Sequence, residues 1–164
     1  MIRTGEQYRE SLRDDRVVWI NGERVKEVTR HPSFRPIVDA RARIYDMAHE
    51  RTLAPVMTYT DEETRETNCI GYKLPHTQED WQAKRRAVDT VMKDLGGVVI
   101  RVGDETIGEM WSLYDGQNVL REVDPRFADN IKNHIWRALR SDTFHVSANT
   151  DPKRDRSKRP QDQD

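Results

Sequence analysis

The sequence contains a single cysteine, Cys69, and no long hydrophobic run. A lone thiol cannot form an intramolecular disulfide. The opening stretch MIRTGEQYRE lacks the apolar core of a signal peptide, and no later stretch is apolar enough to cross a bilayer. These absences predict a cytoplasmic protein that has no membrane partner.

An excess of charge of one sign is also missing. The chain has 28 Lys and Arg residues against 29 Asp and Glu residues, which gives a formal net charge of −1. Such a balance offers no general attraction for nucleic acid, so we expect no nucleic-acid partner. Hydrophobic and charged residues each make up 35% of the chain, and the mean hydropathy is −0.95. Little apolar material is left for a self-sufficient core, and we therefore expect a partner surface.

Most common chemical motifs are absent as well. The sequence has no glycine-rich phosphate loop, no nucleophile elbow and no paired zinc histidines of the HExxH type. The histidines are far apart in the chain, at positions 31, 49, 76, 134 and 145. We predict no metal site from these spacings.

The apolar periodicity predicts a mainly helical chain. A short helix is expected over residues 6–12 and an amphipathic one, with Ile37 on its buried face, over 33–50. The next helix follows a capping box at Thr77 and Asp80, buries a stripe that includes Trp81, and is stopped by Gly96-Gly97. Two more helices are predicted, one carrying Ile107, Met110, Trp111 and Tyr114, and one that starts at Asp124-Pro125 and buries Phe127, Ile131, Ile135, Ala138 and Leu139.

Two small β-hairpins complete the predicted fold. Residues 17–20 and 23–28 flank Asn21-Gly22, a dipeptide that suits a turn with positive φ. Residues 57–60 and 68–74 form the second predicted ribbon, which Pro75 closes. Arg41 interrupts the apolar face of its helix, either to reach a ligand or as a paired or snorkelling side chain.

His145 is the candidate acid or base that the pattern of elements singles out. It follows the end of the last predicted helix and precedes a loop, where functional groups are common. A cation that stabilises the C-terminus of the helix is the alternative interpretation.

Several runs of residues resemble the 4-hydroxyphenylacetate 3-monooxygenase oxygenase family. The first are MIRTGEQY at 1–8, VWINGERVK at 18–26, Val28-Thr29, His31-Pro32 and Phe34-Arg35-Pro36. Further matches follow in the same order over essentially the whole chain: Met57-Thr58-Tyr59-Thr60, Leu74-Pro75, Gly96-Gly97, Arg101, His145 and Asp155-Arg156-Ser157-Lys158.

The resemblance implies a fold and a place in a larger assembly. Members of the family resemble the acyl-CoA dehydrogenase fold, with a helical N-terminal domain, a middle β-barrel and a C-terminal four-helix bundle. Residues 1–150 would be the N-terminal helical domain, and residues 151–164 a charged tail leading toward the missing β domain. We expect the small subunit of a split enzyme whose large subunit carries the barrel and the bundle. A fragment of a longer chain is the alternative.

The resemblance also implies the chemistry. Oxygenases of this family take reduced FAD from a separate reductase, use it to activate O₂, and place a hydroxyl group ortho to an existing phenol. The expected partners are therefore a large oxygenase subunit, a flavin reductase and an aromatic small-molecule substrate. Ring hydroxylation, N-oxidation and dechlorination all remain open, as does the identity of the substrate.

Site residues carry over from the resemblance one at a time. Arg101 matches a family arginine soon after the Gly-Gly pair, and His145 matches the family histidine after the last helix. We expect both to be catalytic and to contact the substrate oxygen, His145 by polarising or deprotonating it and Arg101 by stabilising the oxyanion. Glu105 stands where the family has a tyrosine, so we expect it to bind a substrate amine or ring N–H unless it is only an early-helix anion.

The basic segment near the C-terminus aligns with a family segment that touches FAD. Lys153, Arg154 and Arg156 are the expected cofactor-binding residues, with Arg156 offering a bidentate fork to a diphosphate. A disordered charged tail is the alternative for this segment.

Two other functions stay open for the chain as a whole. A 4-hydroxybutyryl-CoA dehydratase resembles the family in fold but holds an iron–sulfur cluster through cysteines, and Cys69 alone cannot supply the pair expected in this region. A non-catalytic partner that binds or regulates a full-length oxygenase is the other alternative.

Overall fold

The computed structural model describes residues 2–97, 104–143, 145, 155 and 157–162, without the side chains of 104–108 and 160. The described part is mainly helical with two small antiparallel hairpins, as predicted. Its helices are α1 Gly5–Glu10, α2 Arg35–Met47, α3 Ala54–Met57, α4 Gln78–Asp94, α5 Asp104–Asp115, α6 Gln117–Val123 and α7 Pro125–Ser141. Its strands are β1 Val18–Ile20, β2 Glu23–Val25, β3 Thr58–Thr60 and β4 Thr67–Cys69.

The first hairpin confirms the turn signal in the sequence. Asn21 and Gly22 both have positive φ, of 51° and 81°, which the Asn-Gly pair tolerates. Strands β1 and β2 pair with Trp19 opposite Arg24. The hairpin is shorter than predicted, because β2 ends at Val25.

The second hairpin differs from the prediction after three paired residues. Strands β3 and β4 pair with Tyr59 opposite Asn68, but β4 ends at Cys69 and a 3-10 turn follows over Ile70–Tyr72. The predicted strand over 68–74 is therefore wrong beyond Cys69. The turn buries three consecutive residues, Ile70, Gly71 and Tyr72, whereas an extended strand would direct adjacent residues to opposite faces.

The predicted cap of α4 is confirmed. The Thr77 side chain accepts from the Asp80 backbone N–H at 3.2 Å, and the Asp80 carboxylate accepts from Thr77 N at 2.9 Å. The helix ends at the predicted glycines, where Gly97 N donates to Met92 O at 2.7 Å.

Three predicted core residues are exposed instead. Trp81 is 55% exposed, and Ile37 and Phe127 are also exposed. In α4 the buried face runs through Asp80, Lys84, Ala87 and Val91. Asp80 faces inward because it holds the cap and accepts from Lys73 at 2.6 Å, so the neighbouring Trp81 points away from the core. In α7 Ala128 is the buried residue of the first turns, which places Phe127 outside in the same way.

The helix that contains Arg41 is also shorter than the predicted 33–50. It runs from Arg35 to Met47 with Pro36 in its first turn. Arg41 is half-buried within it. Helices α3 and α6 have no counterpart in the prediction.

Three hydrophobic clusters hold the described part together. The first lies between α2, α3 and α4, and contains Ile44, Met47, Met57, Ile70, Ala87 and Val91. The second joins Tyr72 to α5 and α7 through Met110, Ile135 and Ala138. The third packs α1 on α2 through Tyr8, Val38, Ala42 and Tyr45. The 3-10 turn contributes Ile70 to the first cluster and Tyr72 to the second, and so connects these two clusters.

Within the residues that the structure describes, no helix combines the length and the apolar character needed to cross a membrane. The predicted domain boundary after residue 150 lies outside these residues.

Candidate active site

His145 lies just beyond the C-terminus of α7. The helix ends at Asp142, which adopts the left-handed conformation with φ 44° and ψ 51°. Thr143 N still donates to Ala138 O at 3.2 Å, which closes the last turn. The chain therefore leaves the helix in a defined direction, toward His145.

The N-terminal segment clamps this helix end. Arg3 Nε and Nη2 donate to the Asp142 carbonyl oxygen at 3.0 and 2.6 Å, and Arg3 N donates to Asp142 Oδ2 at 3.0 Å. Tyr45 Oη donates to the same carbonyl oxygen at 2.8 Å. The Arg3 guanidinium also lies over the Tyr45 ring, 4.8 Å from its centroid. Residues far apart in sequence thus fix the segment that carries His145.

Tyr72 makes the contact to His145 itself. Its hydroxyl donates to the Thr143 carbonyl oxygen at 2.7 Å and lies 3.2 Å from His145 Nδ1. The two rings meet edge to face, with centroids 6.1 Å apart. We call Tyr72, Thr143 and His145 the histidine cluster.

A second histidine lies against this cluster. The rings of His134 and His145 are 5.7 Å apart at an interplanar angle of 76°. His134 projects from α7, eleven residues before His145 in the chain. The sequence interpretation treated the histidines as separate, whereas the end of α7 folds two of them together.

The surroundings favour a neutral His145. Partial burial lowers its pKa below the ordinary value, the charge of His134 lowers it further, and hydrogen bonding to Thr143 acts in the opposite direction. Burial also raises the pKa of Tyr72 well above its usual range. At neutral pH the cluster therefore presents a neutral imidazole beside a protonated phenol, which suits proton acceptance from a ligand.

The other predicted site residues are not placed beside His145. Arg101, Lys153, Arg154 and Arg156 lie outside the described residues. Glu105 is the second residue of α5, and its side chain is not described. Helix α5 approaches the histidine cluster through Met110, which packs in the same hydrophobic cluster as Tyr72.

Cys69 is adjacent to the 3-10 turn. Burial raises the pKa of its thiol to about 12, so the free thiol is uncharged at neutral pH. Among the described residues, no three histidine, cysteine or carboxylate side chains are close enough to share a metal ion.

The sequence pattern singled out His145 as a candidate but not its neighbours Tyr72 and His134, nor Arg3, which holds the preceding Asp142. Tyr72 belonged to a predicted strand, and Arg3 entered only through the run MIRTGEQY. Both act across more than 70 residues of sequence, so no local signal reveals them.

Comparisons with known proteins show similarity over most of the chain. The model of the family described as 4-hydroxyphenylacetate 3-hydroxylase N terminal matches residues 4–164. The FADH(2)-dependent monooxygenase TftD of Burkholderia cepacia is 29% identical over 164 residues, covering 95% of this chain and 31% of that protein.

Two solved structures share the fold. The oxygenase component of 4-hydroxyphenylacetate 3-monooxygenase, complexed with FAD and 4-hydroxyphenylacetate, has a TM-score of 0.85 and 28% identity, covering 98% of this chain and 33% of that one. A 4-hydroxybutyryl-CoA dehydratase from N. maritimus has a TM-score of 0.83 and 26% identity, covering 100% of this chain and 32% of that one. The chain thus spans about a third of the length of the proteins it matches.

Proposed function

Because this chain belongs to the 4-hydroxyphenylacetate 3-hydroxylase N-terminal family, we propose that it supplies substrate-contacting residues to a two-component aromatic monooxygenase that uses reduced FAD. The observation that carries the proposal is the histidine cluster, in which a half-buried His145 of lowered pKa lies 3.2 Å from the Tyr72 hydroxyl. The substrate class is a phenol or an aniline-like ring.

His145 acts as the proton acceptor for the substrate. A phenol becomes more nucleophilic at its ring carbons as its O–H bond is polarised, and a neutral imidazole within hydrogen-bond reach does this. The lowered pKa of His145 keeps it neutral and able to accept at pH 7. Reduced FAD, when bound, supplies the activation of O₂.

Arg101 stabilises the negative charge that develops on the substrate oxygen. A guanidinium donates hydrogen bonds and stays protonated at any working pH, so it suits an oxyanion. Glu105 lies in the first turn of α5, the helix whose Met110 packs in the cluster of Tyr72. A carboxylate there accepts hydrogen bonds, so it selects a substrate that carries an amine or a ring N–H over one that carries a second anion.

Lys153, Arg154 and Arg156 hold the FAD diphosphate in this proposal. The donor set fits that group, since basic side chains pair with phosphate oxygens and arginine does so in bidentate fashion. The described neighbours Asp155, Ser157 and Lys158 are all exposed. Asp155 is occupied locally, since it accepts from Ser157 N at 3.0 Å and from Ser157 Oγ at 2.6 Å.

A large oxygenase subunit completes the enzyme, and a separate reductase supplies the reduced flavin. This chain spans about a third of the length of its relatives, and the proposed large subunit supplies the remainder. We place the β-barrel and the four-helix bundle of an acyl-CoA dehydrogenase-like fold on the large subunit, with residues 1–150 as the helical domain. The single cysteine is in keeping with a cytoplasmic setting.

Co-expression tests the assembly. The chain is produced with a candidate large subunit and separated by size-exclusion chromatography, with absorbance read at protein and flavin wavelengths. Co-elution of both chains with FAD supports the split flavoenzyme and justifies a screen of phenols and anilines. A chain that elutes alone and colourless would favour an independent binding module.

Substitution at the site tests the chemistry within that complex. His145→Gln and Arg101→Met should leave assembly intact and lower turnover by roughly a hundredfold or more. His31→Gln is the matched control, because His31 contacts Phe34 and not the histidine cluster. Unchanged turnover in both site variants would make this chain a non-catalytic partner.

A further inference from the structure

We propose that Tyr72 is a positioning residue that fixes the tautomer of His145, with the hydrogen on Nδ1 and a bare Nε2 as the proton acceptor. The proposal deepens the proposed function and rests on it only for the role of Nε2 toward substrate. The tautomer itself follows from the geometry of the histidine cluster.

The number of available hydrogens carries the inference. A tyrosine hydroxyl has one hydrogen, and Tyr72 donates it to the Thr143 carbonyl oxygen at 2.7 Å. A carbonyl oxygen can only accept, so the hydroxyl hydrogen of Tyr72 is used in this bond and is not donated to His145. The remaining contact of the hydroxyl, 3.2 Å from His145 Nδ1, is then a hydrogen bond only if Nδ1 carries a hydrogen and Tyr72 Oη accepts it.

Tyr72 is held rigidly enough to impose this choice. It is 3% exposed and packs against Met110, Ile135 and Ala138. The buried Lys84 Nζ donates to the carbonyl oxygen of Gly71 at 2.8 Å, which fixes the turn just before Tyr72. Burial raises the pKa of Tyr72, so the phenol keeps its hydrogen over the working range of pH.

The consequence is a directed base. In a neutral imidazole one nitrogen donates and the other accepts, and the partner of the first decides which is which. With Nδ1–H engaged by Tyr72, Nε2 has a free lone pair. When a substrate phenol transfers its proton, its O–H bond breaks, an Nε2–H bond forms, and the electron pair stays on the phenolate oxygen. His145 then carries hydrogens on both nitrogens, and its bond to Tyr72 is retained.

Nitrogen NMR on the full chain reads the tautomer directly. Protonated and bare imidazole nitrogens have well-separated ¹⁵N shifts, and the chain has five histidines to label. Comparison with His145→Gln assigns the resonances of His145. We expect one dominant tautomer in the wild-type chain above the pKa of His145, with the hydrogen on Nδ1.

Tyr72→Phe removes the hydroxyl and keeps the buried ring. We expect the His145 nitrogens to move toward the averaged shifts of a mixed tautomer. Tyr59→Phe is the matched control, because Tyr59 packs against the same hydrophobic cluster while its hydroxyl bonds Asn68. The control should leave the His145 tautomer unchanged. A purely structural role of Tyr72 would lower the melting temperature without moving these shifts.

The outcomes separate this inference from the proposed function. A bare Nδ1 in the wild-type chain, or identical His145 shifts in Tyr72→Phe, would overturn the inference and leave the role of His145 untouched. A tautomer that depends on Tyr72, together with full turnover of His145→Gln in the complex, would support the inference and refute the proposed base. If both hold, Tyr72→Phe lowers kcat roughly tenfold or more with little change in KM, as expected for a base in the wrong tautomer.

Discussion

At the residue scale, the environment of His145 determines its pKa, and the effect of each neighbour on that pKa can be tested. Partial burial and the adjacent His134 both lower the pKa of His145. Since the ring centroids are 5.7 Å apart, removal of one imidazole removes a direct repulsion of the other cation. We expect His134→Gln to raise the pKa of His145, which should still stay below the ordinary histidine value because the burial remains. Titration of the His145 ring signals by NMR measures this.

His31→Gln is the control for this prediction and should leave the titration of His145 unchanged. An equal shift of the His145 pKa in that variant would contradict the prediction.

The lowered pKa of His145 in the folded chain also sets the direction of a pH effect on stability. As the pH falls, the unfolded chain binds a proton at this histidine before the folded chain does. This residue therefore contributes less stability as the pH drops below the ordinary histidine pKa. Proton acceptance by His145 should be lost over the same acidic range.

The site was partly predictable from the sequence. His145 stood out because its position after a helix is visible in local patterns. The residues around it could not be predicted, because only the path of the chain beyond the end of α7 brings His145 next to Tyr72 and His134. A lowered pKa is likewise a property of the packed structure, since neither burial nor the second histidine can be read from spacing.

The clamp at the end of α7 depends on Arg3. Its guanidinium bonds the Asp142 carbonyl oxygen twice and the Tyr45 hydroxyl once, at 2.6 Å. Arg3→Ala removes the guanidinium donor from these buried groups and leaves the Asp142 carbonyl oxygen with the Tyr45 hydroxyl as its remaining donor, so it should lower the free energy of unfolding by about 2 kcal/mol. Urea denaturation followed by tryptophan fluorescence measures the change.

Arg9→Ala is the matched control for that experiment. Arg9 pairs with Asp39 at 3.2 Å, and Asp39 is exposed, so its loss should cost no more than about 0.5 kcal/mol. Equal costs for the two variants would mean that the Arg3 contacts contribute no more than a surface ion pair. The His145 titration in Arg3→Ala should also broaden or shift, since the clamp holds the segment that leads to it.

At the element scale, the packing of α1 on α2 depends on a close approach at Gly5. A Cβ built on Gly5 would lie 2.5 Å from both the Ala42 carbonyl oxygen and Asp46 Oδ2. Gly5 N also donates to Asp46 Oδ1 at 2.7 Å, so the two helices are tied at this point. Gly5→Ala must push α1 away from backbone atoms that cannot yield, and should cost about 2 kcal/mol of unfolding free energy.

Gly116→Ala provides the comparison, again by urea denaturation. There the nearest atom to a new Cβ is the Ser112 carbonyl oxygen, at 3.3 Å. A small local shift accommodates it, so we expect a change of less than about 1 kcal/mol. A Gly5→Ala variant as stable as Gly116→Ala would contradict the close approach of α1 and α2.

Elements with strong local signals were predicted and the others were not. The Asn21-Gly22 turn, the Thr77 cap and the Asp124-Pro125 start are set by residues next to one another in sequence. Helix α6 was missed because it has no side-chain cap bond and buries no residue, so neither signal was present. Trp81 was wrongly predicted to be buried. Its neighbour Asp80 faces the core, so the buried face of α4 does not coincide with the apolar stripe in the sequence.

At the scale of the whole molecule, the described helices leave large apolar side chains uncovered. Val119 is 68% exposed and Val123 is 75% exposed. The two lie four residues apart in α6, hence on one face of the helix, and α6 buries no residue of its own. This agrees with the sparse apolar composition, from which a partner surface was predicted. We expect α6 to be a face that the proposed large subunit covers.

Conversion of both valines to glutamine tests that face. Since the side chains are already exposed, Val119→Gln with Val123→Gln should leave the circular dichroism and melting temperature of the chain nearly unchanged. Burial of a valine contributes about 1.5 kcal/mol, so loss of two should weaken binding to the large subunit by roughly a hundredfold. The matched control is Asn118→Gln with Glu122→Gln, which changes exposed polar residues of the same helix. This variant should still co-elute with the large subunit. If the valine variant binds like the wild-type chain, α6 is not the covered face, and the partner surface must lie around the other exposed aromatic and aliphatic residues, such as Trp19 and Trp136.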